Sequence, residues 1–323
     1  MNSINEVLEG AKTVAITGHI RPDGDCAGST LGLYNYLLEN MPELEVDIYL
    51  ESLSDSFLFL KNSENIKTKA DDKEKVYDVF FVLDCGDLSR VADFTTKLIN
   101  NARRTVCIDH HMSSNGFADV NHILPKISSA CEVLFELLCE EKITKEVAEC
   151  LYLGMIHDTG VFKYQSTTGR TMEIAGVLME KGIDFTSIID DTFFRKSYVQ
   201  NKMMGIALCD SKLLLDGKLI YSYLPHKILA ENNIPGRDLN GIIDQLRFTE
   251  GVEVAMFIYD LPDGSKKVSL RSVDMVDVNS IANEFMGGGH MRAAGFTVQM
   301  SCEDIVNKVS RLVSAQVDGG ISV

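Results

Sequence analysis

No apolar run in this sequence approaches the ~18 residues that a membrane-spanning helix needs. The most apolar strand-like stretch, residues 79–83 (VFFVL), is far too short. The eight cysteines include no C-x-x-C pair and sit in apolar stretches or beside acids. They read as small buried hydrophobes with free thiols, not as a zinc ribbon or a disulfide framework. Repeats and low-complexity tracts are lacking too, and 45% hydrophobic residues exclude disorder, collagen and coiled coil. Positive charge is scarce: 31 Lys+Arg against 47 Asp+Glu give a formal net charge of −16. The excess is concentrated in residues 1–199, with 19 basic against 32 acidic side chains; residues 200–323 hold 12 against 15. So acidic a surface repels long duplex nucleic acid, whose binding relies on neutralising many phosphates, but it still admits a small anion at one site. The opening MNSINEVLEG has neither a basic start nor an apolar segment, so the reading is a cytoplasmic chain without a signal peptide or a membrane partner.

What is present suits two domains, at ~100–200 residues each. Up to about residue 185, strand-like and helix-like patterns alternate. Residues 13–17 (TVAIT), 46–50, 79–83 and 105–108 (TVCI) read as strands, the last two continuous and apolar as in a parallel sheet buried on both faces. Residues 29–39 read as a helix after a glycine-rich turn. Ser129 to Glu132 (SACE) reads as a capping box opening a helix over 133–139, and a further helix spans 145–156. The expected fold is α/β: a doubly wound, mostly parallel sheet over 1–185, a helical linker over 186–209, and a smaller α+β domain over 210–323. In that last domain residues 218–224, 252–259 and 267–272 read as strands, with a Pro-Asp-Gly-Ser turn before the third, and 239–248 and 278–285 read as helices.

Four acid and histidine clusters carry the chemistry. His19, Asp23 and Asp25 follow the first strand, Asp84 and Asp87 the third, and Asp109, His110 and His111 the fourth; His157 and Asp158 end a helix. Each cluster alone also reads as a cap or a turn. Ligands of an open parallel sheet bind beyond the carboxyl ends of its strands, so three of these clusters should converge on one crevice. Carboxylate and imidazole donors without thiolates suit manganese, magnesium, iron or cobalt better than a structural zinc.

The stretches HIRPDGDCAGS, VLDCGD, IDHHMSSNGF and HDTGVFKYQST resemble, in order, the four motifs of the DHH phosphoesterases. GGGHMRAAGF resembles the signature of the DHH-associated C-terminal domain, and the combination is similar to the bacterial nano-RNase/pAp-phosphatase group. The resemblance spans residues 19–296. It implies two divalent ions, manganese above all, with His19, Asp23 and Asp84 holding one and Asp25, Asp84, His110 and Asp158 the other, Asp84 bridging. Such a pair can activate water and clamp phosphate oxygens.

His111 is then free to contact phosphate and to act as general acid, with Asp109 orienting a neighbour. Arg271, Ser272, Gly288, Gly289 and His290 are the expected grip on a further phosphate, with Gly287 beside them and Arg292 a weaker candidate. The roles of Asp87 and Cys85 stay open between structure and catalysis. The implied activity is hydrolysis of very short oligoribonucleotides to nucleoside monophosphates and removal of the 3′-phosphate from pAp, in a cleft between the domains, with a homodimer as a further expectation. Two rivals stand beside it: a cyclic-dinucleotide phosphodiesterase and a nucleotide sensor without turnover.

Overall fold

The computed structural model describes residues 1–232, 239 and 241–318. They divide into two compact units, Met1–Arg195 and Lys196–Val323. Among the described residues no helix is long and apolar enough to cross a membrane.

The first unit runs α1 (Asn5–Leu8), β1 (Thr13–Thr17), α2 (Gly24–Asn40), β2 (Glu45–Tyr49), β3 (Val79–Leu83), α3 (Asp93–Asn101), β4 (Thr105–Asp109), β5 (Val120–Ile123), α4 (Ala130–Phe135), α5 (Lys145–Asp158), α6 (Gly169–Glu180) and α7 (Phe185–Ile189). Its five strands are all parallel, in the order β2-β1-β3-β4-β5. All five residues of β3 are buried, because the sheet is covered on both faces. On one face Val79, Phe81 and Leu83 join a core with Leu31, Leu151 and Leu178; on the other Phe80 and Val82 pack with Tyr77, Leu98 and Ile99. Between β1 and β3 the strand order reverses, and it is beyond the strand ends at such a point that a parallel sheet binds its ligands.

Helix α2 begins five residues before the expected 29–39 segment, inside the supposed turn. Asp23 caps it, its Oδ1 accepting from the backbone N–H of Asp25 and of Cys26, both at 3.1 Å. The glycines that suggested a turn serve packing instead: a Cβ on Gly28 would lie 2.4 Å from the carbonyl oxygen of Cys150, where α5 crosses. At α4 half of the expected capping box forms. Ser129 Oγ accepts from the Glu132 N–H at 3.0 Å, but the Glu132 carboxylate accepts from the Ser128 and Thr171 hydroxyls.

The second unit runs α8 (Tyr198–Cys209), β6 (Lys212–Leu214), β7 (Leu219–Leu224), α9 (His226–Glu231), α10 (Ile242–Arg247), β8 (Val254–Asp260), β9 (Lys266–Ser272), α11 (Val278–Asn283), β10 (Gly288–His290), β11 (Ala293–Val298) and α12 (Cys302–Asp318). Of the helix expected over 239–248, Asn240 lies outside the described residues. The sheet order is β10-β11-β9-β8-β7-β6, parallel only between β7 and β8. One core lies against α11 and α12 (Ile281, Ile305, Val309), the other against α8 and α10 (Met203, Ile242, Leu246). The expected 186–209 linker contains most of α7, a π-helical turn over Asp190–Phe194, and α8.

Candidate metal centre

Just past the end of β1, His19 turns inward. Its Nδ1 lies 2.8 Å from the Ile20 carbonyl oxygen, so Nδ1–H donates there and Nε2 is turned toward the carboxylates. Nε2 stands 3.5 Å from Asp23 Oδ1 and 3.4 Å from Asp84 Oδ2. Asp84 follows β3, is 2% exposed and holds φ at +52°, a left-handed backbone that a non-glycine residue keeps only where its surroundings enforce it. His110 and His111 follow β4. Nε2 of His110 lies 3.0 Å from Asp158 Oδ2, 3.6 Å from Asp84 Oδ1 and 3.7 Å from Asp25 Oδ2. Asp25 is fully buried in the first turn of α2, and its carboxylate accepts from the N–H of Ala130 (2.6 Å) and of Cys131 (2.9 Å) at the start of α4.

His19, Asp23, Asp25, Asp84, His110 and Asp158 are thus brought together by three strand ends and the end of α5. His157, the neighbour of Asp158, helps to lock the two helices: its ring sits where any Cβ on Gly24 would lie, and its Nε2 is 3.1 Å from Thr192 Oγ1.

Electrostatically the cluster is short of positive charge. Burial pushes the Asp25 carboxyl well up, and Asp84 and Asp158 beside it push the same way. Burial likewise raises Asp158. Burial alone would depress the two imidazoles, but the carboxylates around them win: Asp23 and Asp84 bring His19 to about 10, and Asp158 and Asp84 bring His110 to about 11. Asp84 Oδ1 is buried without a hydrogen-bond partner, and His110 Nε2 has only its ion pair with Asp158. Such orphaned, crowded donors are what a divalent cation satisfies, and the oxygen and imidazole set fits manganese, magnesium or zinc. Three donor groups lie within 4.8 Å inside the cluster: Asp25, His110 and Asp158; Asp84, His110 and His111; and His19, Asp84 and the thiol of Cys26. The third includes a residue that the absence of C-x-x-C had set aside as packing. Its signal in the sequence is only its place directly after Asp25.

Asp109 ends β4 fully buried. Its Oδ1 is 2.7 Å from His111 Nδ1, and that hydrogen bond raises the pKa of the imidazole. Asp87 caps the 3-10 turn Leu88–Arg90, accepting from the Ser89 N–H at 2.7 Å, and the Cys85 thiol is buried against the Asp87 carbonyl oxygen at 3.1 Å.

In the second unit Arg271 lines a pocket of about 320 Å³ with Asp244, Tyr259 and Ser269, its Nε 3.6 Å from Asp244 Oδ1. Ser272, the next residue of β9, points to the opposite face and is buried. The expected Arg271–Ser272 pair therefore does not form one grip. Gly288, Gly289 and His290 form an exposed edge strand rather than a turn, paired with Gly295, Ala294 and Ala293. Arg292 donates to the Val276 carbonyl oxygen at 2.9 Å, which ties its side chain to the fold.

A carboxylate and imidazole cluster at the switch point of a parallel α/β sheet is the build of a divalent-metal centre. Residues 13–155 match the DHH family, N-terminal domain, and residues 216–316 match the DHHA1 domain. The chain is 30% identical over 308 residues to the bifunctional oligoribonuclease and PAP phosphatase NrnA of Thermus thermophilus, covering 93% of this chain and 88% of that one. It is 28% identical over 291 residues to the probable bifunctional oligoribonuclease and PAP phosphatase NrnA of Streptococcus mutans, with 88% of each chain covered. The crystal structure of an exopolyphosphatase-related protein from Bacteroides fragilis matches with a TM-score of 0.86 at 28% identity, over 97% of this chain and 95% of that one. The chain belongs to the DHH family.

Proposed function

We propose that this protein is a two-metal phosphoesterase that hydrolyses very short oligoribonucleotides such as pApA to nucleoside 5′-monophosphates and removes the 3′-phosphate from pAp. The observation that carries the reading is the convergence of four carboxylates and two imidazoles beyond the strand ends of a parallel sheet, with buried atoms left unpartnered. Relatives named for both activities, matched over most of their length, support it.

His19, Asp23 and Asp84 would hold one ion; Asp25, Asp84, His110 and Asp158 would hold the other. Four carboxylates balance two divalent charges, and manganese is the ion proposed. When bound, the ions supply water activation at neutral pH and neutralise charge on the phosphate.

The protein's own groups do the rest. Asp109 accepts a hydrogen bond from Nδ1–H of His111, so the ring is oriented and its other nitrogen faces outward from that bond. The hydrogen bond to Asp109 raises the pKa of the imidazole and so favours the protonated ring, the form that donates to a phosphoryl or leaving ribose oxygen. His111 is the catalytic residue in this scheme and Asp109 the positioning one. Arg271 and the open edge of β10, with Gly288, Gly289 and His290, receive a second phosphate or the rest of the nucleotide. The proposed organisation is a catalytic domain over 1–185, a linker over 186–209 and a recognition domain over 210–323, in a cytoplasmic homodimer.

The test is a manganese-supplemented turnover panel of pApA, an RNA pentamer, a long RNA, pAp, a cyclic dinucleotide and pyrophosphate, with Asp84→Ala as control. Fast cleavage of pApA and pAp, little on the long RNA and none by the variant is the expected result. Preference for the cyclic dinucleotide moves the protein to a signalling role; binding without turnover makes it a sensor.

A further inference from the structure

The two halves of the proposed centre differ in one donor. Around Asp25, His110 and Asp158 every donor in reach is oxygen or imidazole nitrogen. Around His19 and Asp84 there is also sulfur: Cys26 Sγ lies within 4.8 Å of donor atoms of both, and all three residues are buried. The fold makes room for that sulfur. Gly18 immediately precedes His19, and a Cβ there would sit 2.3 Å from Cys26 Sγ and 3.2 Å from the carbonyl oxygen of Leu83, the residue before Asp84. The thiol is therefore seated between the two strand ends that present the ligands. Its contact with a protein acceptor is a long one, 3.7 Å to the His19 carbonyl oxygen. On this side of the centre Asp84 turns Oδ2 to His19 Nε2, at 3.4 Å, while its buried and unpartnered Oδ1 faces His110.

We propose that Cys26 is a metal ligand of the His19–Asp23–Asp84 position, which gives that position a greater affinity for thiophilic divalent ions such as zinc, cobalt and cadmium than its neighbour, whose donor set is harder, without excluding manganese. Tetrahedral coordination with metal–sulfur bonds of about 2.3 Å and metal–nitrogen bonds of about 2.0 Å places donors about 3.5 Å apart. His19 stands 3.4 Å from Asp84 and 3.5 Å from Asp23, and the sulfur lies within 4.8 Å of donors of His19 and Asp84, so ligation needs the sulfur to close on those two. On ligation the S–H bond breaks, its proton leaves to solvent, and the sulfur lone pair forms the bond to the ion. No electron is transferred and no other reactant is needed. The inference rests on the two-metal reading but is separable from it.

Cobalt(II) titration of the metal-stripped full chain separates the two. The expected spectrum has visible d–d bands together with an intense near-ultraviolet sulfur-to-cobalt charge-transfer band, and Cys26→Ala loses the second while keeping the first. Zinc affinity measured by chelator competition falls by at least about tenfold in that variant, with a much smaller change for manganese, and Cys26→Ser restores packing but not the sulfur band. Visible bands without the charge-transfer band, or a charge-transfer band that survives in Cys26→Ala, overturn the ligation and leave the metal centre standing. No cobalt bands at all overturn both.

Discussion

Glu253 and Asp25 are both buried carboxylates anchored by backbone N–H groups, but their surroundings differ. Glu253, in the second unit, accepts from the N–H groups of Asp274, Met275 and Val276 and staples the loop after β9. At the other end of β8, Asp260 accepts from Tyr223 Oη, the His226 N–H and Lys266 Nζ. These acids are answered by the chain itself. In the first unit Asp25 has its two N–H donors and then faces Asp84 and Asp158, with charge of its own sign pressed against it. Buried carboxylates crowded in this way are costly unless something arrives to neutralise them. The polar core of the second unit serves the fold; that of the first is built for a guest.

The sharpest way to break that contrast is His111→Ala. It should lower turnover of pApA by about a hundredfold or more while manganese content, measured on the purified protein, and melting temperature stay near those of the parent. Equal loss of bound manganese would remove His111 from its assigned role. Glu253→Ala should do the reverse. Three N–H groups lose their acceptor, that of Val276 buried and the other two part-buried, so about 3 kcal/mol of stability disappears, read by denaturant unfolding and unchanged by added manganese. A metal-dependent loss would mean that the second unit is not self-sufficient.

Next comes the guest itself. Manganese at about a hundred times its Kd should stabilise the chelated protein by about 2.7 kcal/mol. Amide exchange should slow at the ends of β1, β3 and β4 and not around Glu253. Uniform slowing across both units would erase the distinction.

The smallest effect is one of pH. In the metal-free protein His19 and His110 hold their protons up to about 10 and about 11. The stability they contribute is full below their ordinary value near 6.5 and is lost as pH rises through the folded values. Metal must displace those protons, so manganese affinity falls as pH drops, and calorimetry at neutral pH in buffers of different ionisation enthalpy should register proton release. Proton uptake, or none, would mean that the imidazoles are already neutral.

Much of this was legible beforehand. The strands β1, β3 and β4 announce themselves as β-branched or continuous apolar runs, and the acids directly after them mark the crevice, because strand ends are fixed by the same hydrophobic signal that fixes the strands. The edge strand β5, read from VNHI, carries too little apolar pattern to be recognised and depends on pairing with β4. The glycines of α2 were misread because a glycine needed for a close helix crossing looks the same in sequence as one needed for a turn. Ser272 shows a further limit: adjacent residues on a strand face opposite ways, so Arg271 and Ser272 cannot act side by side. Cys26 is the instructive case at the site. Its neighbours in space are Gly18, His19 and Asp84, brought to it by the sheet and not by any spacing motif.

The anchoring of Asp25 by Ala130 also sets a timetable for synthesis. The two groups lie 105 residues apart in the chain. At translation rates of about 5–20 residues per second, roughly 5–20 s pass between the emergence of one and of the other. Asp84 and His110 emerge part-way through that interval, but the N–H donors of Asp25 come only at its end, and Asp158 later still. Only after α4 and α5 have left the ribosome can the centre close, so a metal ion is captured as one of the last acts in folding the first unit, while much of the second is still being made.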